Sequence, residues 1–205
     1  DAKGFMTLNL SEDKIRVVGN IKFSATSESG LNPINIGRPY VLAASTRDDE
    51  ETIIVNTWLK QTRKEYLLVI VPRHPKRIKN ILKGLSNQKI NIAIRSKNEP
   101  ITDQTQIYIA DTFGELPAFI AGSRFVIMGG SFVNKGGQNI IEVAQQGKAA
   151  TTGPSLTSFT DEMILSLQHK AGIAYHSQTV RHNHINTSLK YTNNTNTTYK
   201  KPNEI

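Results

Sequence analysis

From Pro39 onward, short and mostly apolar runs alternate with segments whose apolar residues recur every three or four positions. The runs are Tyr40–Ala44, Tyr66–Val71, Ile90–Ile94, Ile107–Ala110, Arg124–Met128 and Lys148–Thr152, with a last one at Gly172–Tyr175. Each is too short for a helix. Their near-continuous apolar character predicts strands buried on both faces. Between them, Asp48–Glu51 gives an acidic first turn favoured by the helix dipole, and Ile54, Trp58 and Leu59 supply one apolar face. That pattern predicts a helix to about Lys64. Further helices are predicted at Lys76–Leu85 (Ile78, Ile81, Leu82 and Leu85 inward), Glu115–Ala121, Ile140–Gly147 and Ser158–His169. Strand and helix in strict alternation predict an α/β fold with a parallel, doubly wound sheet.

Outside this rhythm the chain reads differently. Residues 1–13 resemble a helix end and a turn. Ile15–Phe23 reads as a short strand interrupted by the Gly19-Asn20 turn, and 24–38, rich in Ser, Gly, Asn and Pro, reads as a linker. After Val180 the composition shifts to Asn, Thr, Lys and His with almost no apolar residues, so 181–205 is expected to be a disordered tail. Its Asn-Thr-Ser and Asn-Thr-Thr triplets are read as composition, and His182 and His184 as solvated side chains rather than metal ligands. The organisation predicted is therefore 1–23, a leading piece; 24–38, a linker; 39–180, the α/β domain; and 181–205, the tail.

Parallel sheets bind ligands at the carboxyl ends of their strands. The unusual loops all lie there: Ser45–Arg47, Pro72–Pro75, Asp111–Glu115 and Gly129–Glu142. In the last, Gly129-Gly130-Ser131 and Gly136-Gly137-Gln138-Asn139 lie between a strand and a helix. Glycines there allow close approach to a ligand, and free N–H groups at a helix start suit a phosphate. Glu142, one turn on, would reach a ribose hydroxyl pair. The plain alternative is an ordinary strand-to-helix loop.

Among the 205 residues, 25 Lys and Arg face 17 Asp and Glu, a formal charge of +8. Nucleic acid, an anionic membrane surface or a phosphorylated substrate would match that sign. The basic residues lack the interleaved aromatics of single-strand binding, so no nucleic-acid partner is expected. The absence of cysteine rules out disulfides, thiolate metal sites and a cysteine nucleophile. No aspartate pair at metal spacing appears in the loops, so no metal and no other cofactor is expected.

Taken in order, Ala44-Ser45-Thr46-Arg47-Asp48-Asp49-Glu50-Glu51, Pro72-Arg73-His74-Pro75, Asp111-Thr112-Phe113-Gly114-Glu115-Leu116, Gly129-Gly130-Ser131, Gly136-Gly137-Gln138-Asn139-Ile140-Ile141-Glu142 and Gly153-Pro154 resemble the loops of bacterial 3-deoxy-D-manno-octulosonic acid (Kdo) transferases. Val18-Gly19-Asn20-Ile21-Lys22-Phe23 resembles the segment before that family's interdomain crossover. The resemblance covers about residues 14 to 176. It implies the C-terminal, donor-binding domain of a GT-B glycosyltransferase with two Rossmann-like domains. The family transfers Kdo from CMP-Kdo to lipid A precursor, with inversion, at the cytoplasmic face of the bacterial inner membrane. On that resemblance Arg73, His74, Phe113, Gly114, Glu115, Asn139, Ile140, Ile141 and Glu142 fall where the family contacts CMP, with Arg47 a second phosphate contact. It also implies that the general base, the acceptor site and the membrane-associated segment belong to an N-terminal domain absent here, so that this chain alone is inactive.

Set against these roles, Arg73 is alternatively a solvated surface cation, Glu115 a cap of its own helix and Asn139 an N-cap. The chain departs from the family at Gln138 (usually histidine), Ile140 (usually proline) and Asp48-Asp49 (usually Glu-Gly). Asp49 thereby removes a glycine from a loop close to the anion site. The rival readings are a truncated, non-catalytic remnant and a different GT-B nucleotide-sugar transferase or epimerase, separable by cytidine against uridine competition.

Overall fold

The computed structural model describes residues 2–16, 32–60, 65–135, 137–138 and 140–155. The expected Ser158–His169 helix, Gly172–Tyr175 strand, 181–205 tail and Val18–Phe23 motif lie outside the described residues, as does most of the 24–38 linker.

Six strands form one sheet: β1 (Tyr40–Thr46), β2 (Leu67–Pro72), β3 (Ile92–Ile94), β4 (Ile107–Ile109), β5 (Phe125–Met128) and β6 (Ala150–Thr152). Their order is β3-β4-β2-β1-β5-β6, and every neighbouring pair is parallel. The predicted doubly wound sheet is therefore present, and each of its described strands was marked by an apolar run.

The helices are α1 (Ala2–Thr7), α2 (Glu50–Leu59), α3 (Ile78–Leu85), α4 (Leu116–Gly122) and α5 (Ile141–Gln145). Alternate residues of each strand serve opposite cores. Val41, Ala43, Leu68, Ile70, Ile107, Ile109, Phe125 and Ile127 pack with Ile54, Val55 and Trp58 of α2 and Ile81 and Leu85 of α3. Tyr40, Leu42, Ala44, Leu67, Val69, Tyr108, Val126 and Met128 pack with Phe119 and Ile120 of α4 and Val143 of α5. Helices thus cover both faces. This explains why the strands carry no polar alternation.

β1, the first strand of the sheet, sits at its centre. The chain leaves it toward β2 on one side and later returns to place β5 on the other. The carboxyl ends of β1 and β5 therefore flank the topological switch point, the usual ligand crevice of such sheets. No helix among the described residues is long and apolar enough to cross a membrane.

Candidate functional site

The four loops singled out in the sequence all leave the carboxyl edge of this parallel sheet. At the switch point the glycine loop meets the start of α2. The N–H groups of Gly129, Gly130 and Gly137 are taken up within the protein. The Gly129 N–H donates to Ala44 O at 2.8 Å and the Gly137 N–H to Gly130 O at 2.7 Å. The Gly130 N–H donates to Glu50 Oε2 at 2.6 Å, and the Phe132 N–H to Glu50 Oε1 at 2.9 Å. Glu50 Oε2 also accepts from the Arg47 N–H at 2.7 Å, and the residue is 0% exposed. Glycine is required here for packing. A Cβ on Gly129 would stand 2.6 Å from Ser45 O and Thr46 Cα, and Gly130 has a φ of +73°.

Ser131 completes this junction. Its hydroxyl donates to Met128 O at 2.6 Å and accepts from the Gly153 N–H at 2.7 Å, tying the end of β6 to the end of β5. The motif Gly153-Pro154 therefore has a structural partner 22 residues earlier.

The loop after β2 is fastened to the same place. The Arg73 N–H donates to Thr46 O at 3.0 Å. Arg77 grips buried Glu51 with both ends of its guanidinium, Nη1 to Oε1 at 3.0 Å and Nη2 to Oε2 at 3.2 Å, while its Nε stands against Asp48. The Thr46 hydroxyl donates to Glu51 Oε1 at 2.7 Å. Neither Glu51 nor Arg77 was singled out from the sequence. The acidic run favours the helix dipole and belongs to the first loop motif, but nothing in the local pattern shows that Glu50 and Glu51 are both buried.

Three cationic or polar side chains from these loops remain to meet a ligand. Arg73 and His74 are exposed, and Arg47 is half-buried. Arg47 Nη1 donates to His74 Nε2 at 3.3 Å, so that ring nitrogen is the acceptor. Arg47 Nε is buried with no hydrogen-bond partner among the described residues. An orphaned buried donor on a cation, beside two further donors, is the arrangement an anionic oxygen would complete.

The β4–α4 loop behaves differently. Phe113 is 74% exposed, and Gly114 adopts the left-handed region at φ +80°. Glu115 precedes α4 but makes no side-chain cap, so the capping alternative does not apply. Its carboxylate is held by Arg95, with Nε donating to Oε2 at 2.6 Å, and by the Thr112 hydroxyl. The Arg95 guanidinium holds the Glu115 carboxyl below its usual range, with the Thr112 hydroxyl adding to the effect, against an opposing contribution from burial. Arg95 also lies 5.4 Å over the Phe119 ring and donates to the Tyr108 hydroxyl at 3.3 Å. Sequence reasoning missed Arg95. Its signal was available: a lone arginine directly after an apolar strand, at the edge where all the odd loops emerge.

At the start of α5, Ile140 and Ile141 are each 4% exposed, and Ile140 belongs to the α4–α5 core. Their side chains serve packing, which leaves only backbone groups to face a ligand. Glu142 is exposed in the first turn. Asn139 lies outside the described residues. The structure thus brings Arg47 and His74 into contact, with Arg73 next to His74 in the chain, and among the described residues no hydrogen bond or ion pair joins these to Glu115 or Glu142. Asp49 has a φ of +70°, the left-handed conformation suited to the glycine expected there. Among the described residues, no group of three His, Asp or Glu is placed to hold a metal ion.

No protein-family model matches the chain. It is 31% identical over 183 residues to the 3-deoxy-D-manno-octulosonic acid transferase of Rickettsia felis, covering 84% of this chain and 39% of that protein. The enzyme of the same name from Haemophilus influenzae is 31% identical over 178 residues, 81% of this chain and 42% of that one. The chain spans about two fifths of the length of these curated relatives. Among solved structures, the C-terminal CMP-Kdo binding domain of WaaA from Acinetobacter baumannii superposes with a TM-score of 0.66 at 25% identity. That match covers 76% of this chain and 80% of the other.

Proposed function

We propose that this chain, which belongs to the 3-deoxy-D-manno-octulosonic acid transferase family and spans its C-terminal part, binds CMP-Kdo and presents it for transfer to lipid A precursor. The observation that carries this reading is the cationic cluster at the sheet's carboxyl edge. Arg47 brings an orphaned buried donor, with His74 in contact and Arg73 exposed beside it. Such a cluster suits the single phosphate that links cytidine to Kdo. Phe113, 74% exposed on the neighbouring loop, offers an apolar ring face to a base or sugar. Glu142, exposed in the first turn of α5, offers a carboxylate to ribose hydroxyls.

In the reaction, an acceptor hydroxyl attacks the anomeric carbon of Kdo as the bond from that carbon to the phosphate oxygen breaks. The electron pair leaves with CMP, and the hydroxyl proton passes to a carboxylate of the family's N-terminal domain. The contribution of this chain is to hold the phosphate and stabilise the negative charge that grows on it, through Arg73, Arg47 and His74. The reaction would take place at the cytoplasmic face of the inner membrane, where the lipid acceptor lies.

Titration calorimetry with CMP and UMP tests the reading. CMP should bind the chain more tightly than UMP. Arg73→Ala and Glu142→Ala should each weaken CMP by about 1–3 kcal/mol, the worth of one charged hydrogen bond. Equal affinity for the two nucleotides, or no loss in either variant, would refute it. An assay with CMP-Kdo and lipid A precursor should show no turnover by this chain alone, because acceptor and donor must be held together for reaction.

A further inference from the structure

We propose that Glu50 restricts the site to donors with a single phosphate, an inference that rests on the reading of a cytidine nucleotide site. Three backbone N–H groups, those of Arg47, Gly130 and Phe132, converge on the Glu50 carboxylate at 2.6 to 2.9 Å. They come from the two loops that flank the switch point. Converging backbone N–H groups at that place form an anion hole, and doubly wound folds use such glycine loops to take a ligand's pyrophosphate.

In this chain the hole is already filled from within. Glu50 is 0% exposed and meets no lysine or arginine among the described residues, whereas its neighbour Glu51 holds Arg77. The negative charge of Glu50 is therefore balanced by backbone donors alone. The cationic cluster lies next to it, since Arg47 contributes its N–H to Glu50 and its guanidinium to His74. One phosphate fits against Arg47, His74 and Arg73. A second phosphate, extending toward the switch point, would meet a carboxylate where other folds present free N–H groups. Selectivity then arises from a repulsive element rather than from an added contact.

Calorimetry with CMP and CDP on the wild type, Glu50→Gln and Glu50→Ala tests this. The wild type should bind CDP about tenfold more weakly than CMP, reflecting like-charge juxtaposition. Glu50→Gln keeps the size and one acceptor oxygen, and should narrow the CDP-to-CMP gap about fivefold or more while CMP affinity stays within about twofold. A merely structural role would weaken both nucleotides together and leave their ratio unchanged. A wild type that binds CDP as tightly as CMP overturns the inference and needs no variant. So does an unchanged ratio in folded Glu50→Gln.

Inorganic pyrophosphate supplies a reading that does not depend on the nucleotide site. In thermal unfolding against sodium chloride of equal ionic strength, it should stabilise Glu50→Ala more than the wild type, because the emptied hole takes the anion. An equal response in the two proteins overturns the inference. A wild type that binds neither CMP nor UMP refutes the nucleotide site, and the pyrophosphate comparison then decides whether Glu50 fills an anion hole.

Discussion

The grip of Arg77 on Glu51 holds the β2–α3 loop against the β1–α2 loop, and removing either partner should cost several kcal/mol. Glu51 is 3% exposed, and the Arg77 side chain is 16% exposed. Glu51→Ala strands the guanidinium with Asp48, whose side chain is 76% exposed and therefore a weak partner. It also leaves the Thr46 hydroxyl without its acceptor. Breaking a buried pair by removing one member costs about 3–5 kcal/mol, and the residual contact with Asp48 moves the expectation to about 3 kcal/mol. Arg77→Met should cost about the same, because the Glu51 carboxylate would then keep only one neutral donor. The double variant Glu51→Leu with Arg77→Met replaces the pair by apolar volume and should cost about 1–2 kcal/mol. The two single costs would then together exceed the double by about 4–5 kcal/mol, a coupling far outside that of independent sites. Urea denaturation followed by circular dichroism measures all four proteins, with unchanged m-values as the check that only stability moved. Single losses below about 1 kcal/mol, or strictly additive costs, would show that the pair does not hold these loops.

Two further outcomes follow from local features. The folded-state pKa of Glu115 is depressed by Arg95 from the ordinary 4.5, so its stabilising contribution is complete above that value and is lost as pH falls through the lower folded value. Glu115→Gln should therefore flatten the acid limb of a stability–pH curve below about pH 5, and an unaltered limb would refute the linkage. Asp49→Gly relieves a non-glycine residue at φ +70° and should raise stability by about 0.5–1 kcal/mol, after part of the gain is offset by the freer unfolded chain. A lower melting temperature in scanning calorimetry would contradict this.

The fold was legible because a parallel sheet buried on both faces leaves a simple trace. Runs such as Leu67–Pro72 carry no polar position, and each is followed by an amphipathic stretch or an odd loop. The family resemblance put a glycine where Asp49 stands, and the backbone there is left-handed. The roles inside the site were less legible. The glycine pair was correctly seen as unusual, but local sequence cannot show that a carboxylate 80 residues earlier would consume its donor. Likewise Ile140 and Ile141 sit within a motif that resembles a ligand loop, yet only packing shows that their side chains face the core. Arg95 escaped because it lies in a single 3-10 turn, Arg95–Lys97, which has no periodicity to mark it.

The hydrogen bonds from Gly130 and Phe132 to Glu50 span 80 and 82 residues of chain. β1 also waits for β5 across a comparable stretch, although it starts the sheet. Closing so long a loop carries an entropic cost before any contact repays it, so this seam should form late in folding and open early in unfolding. The amides of Gly130 and Phe132 then become clocks for the docking of two halves, the β1 to β4 portion and the β5–β6 portion. Their hydrogen exchange reports the integrity of the seam, while the amides of β1 and β2 report the stability of the first half.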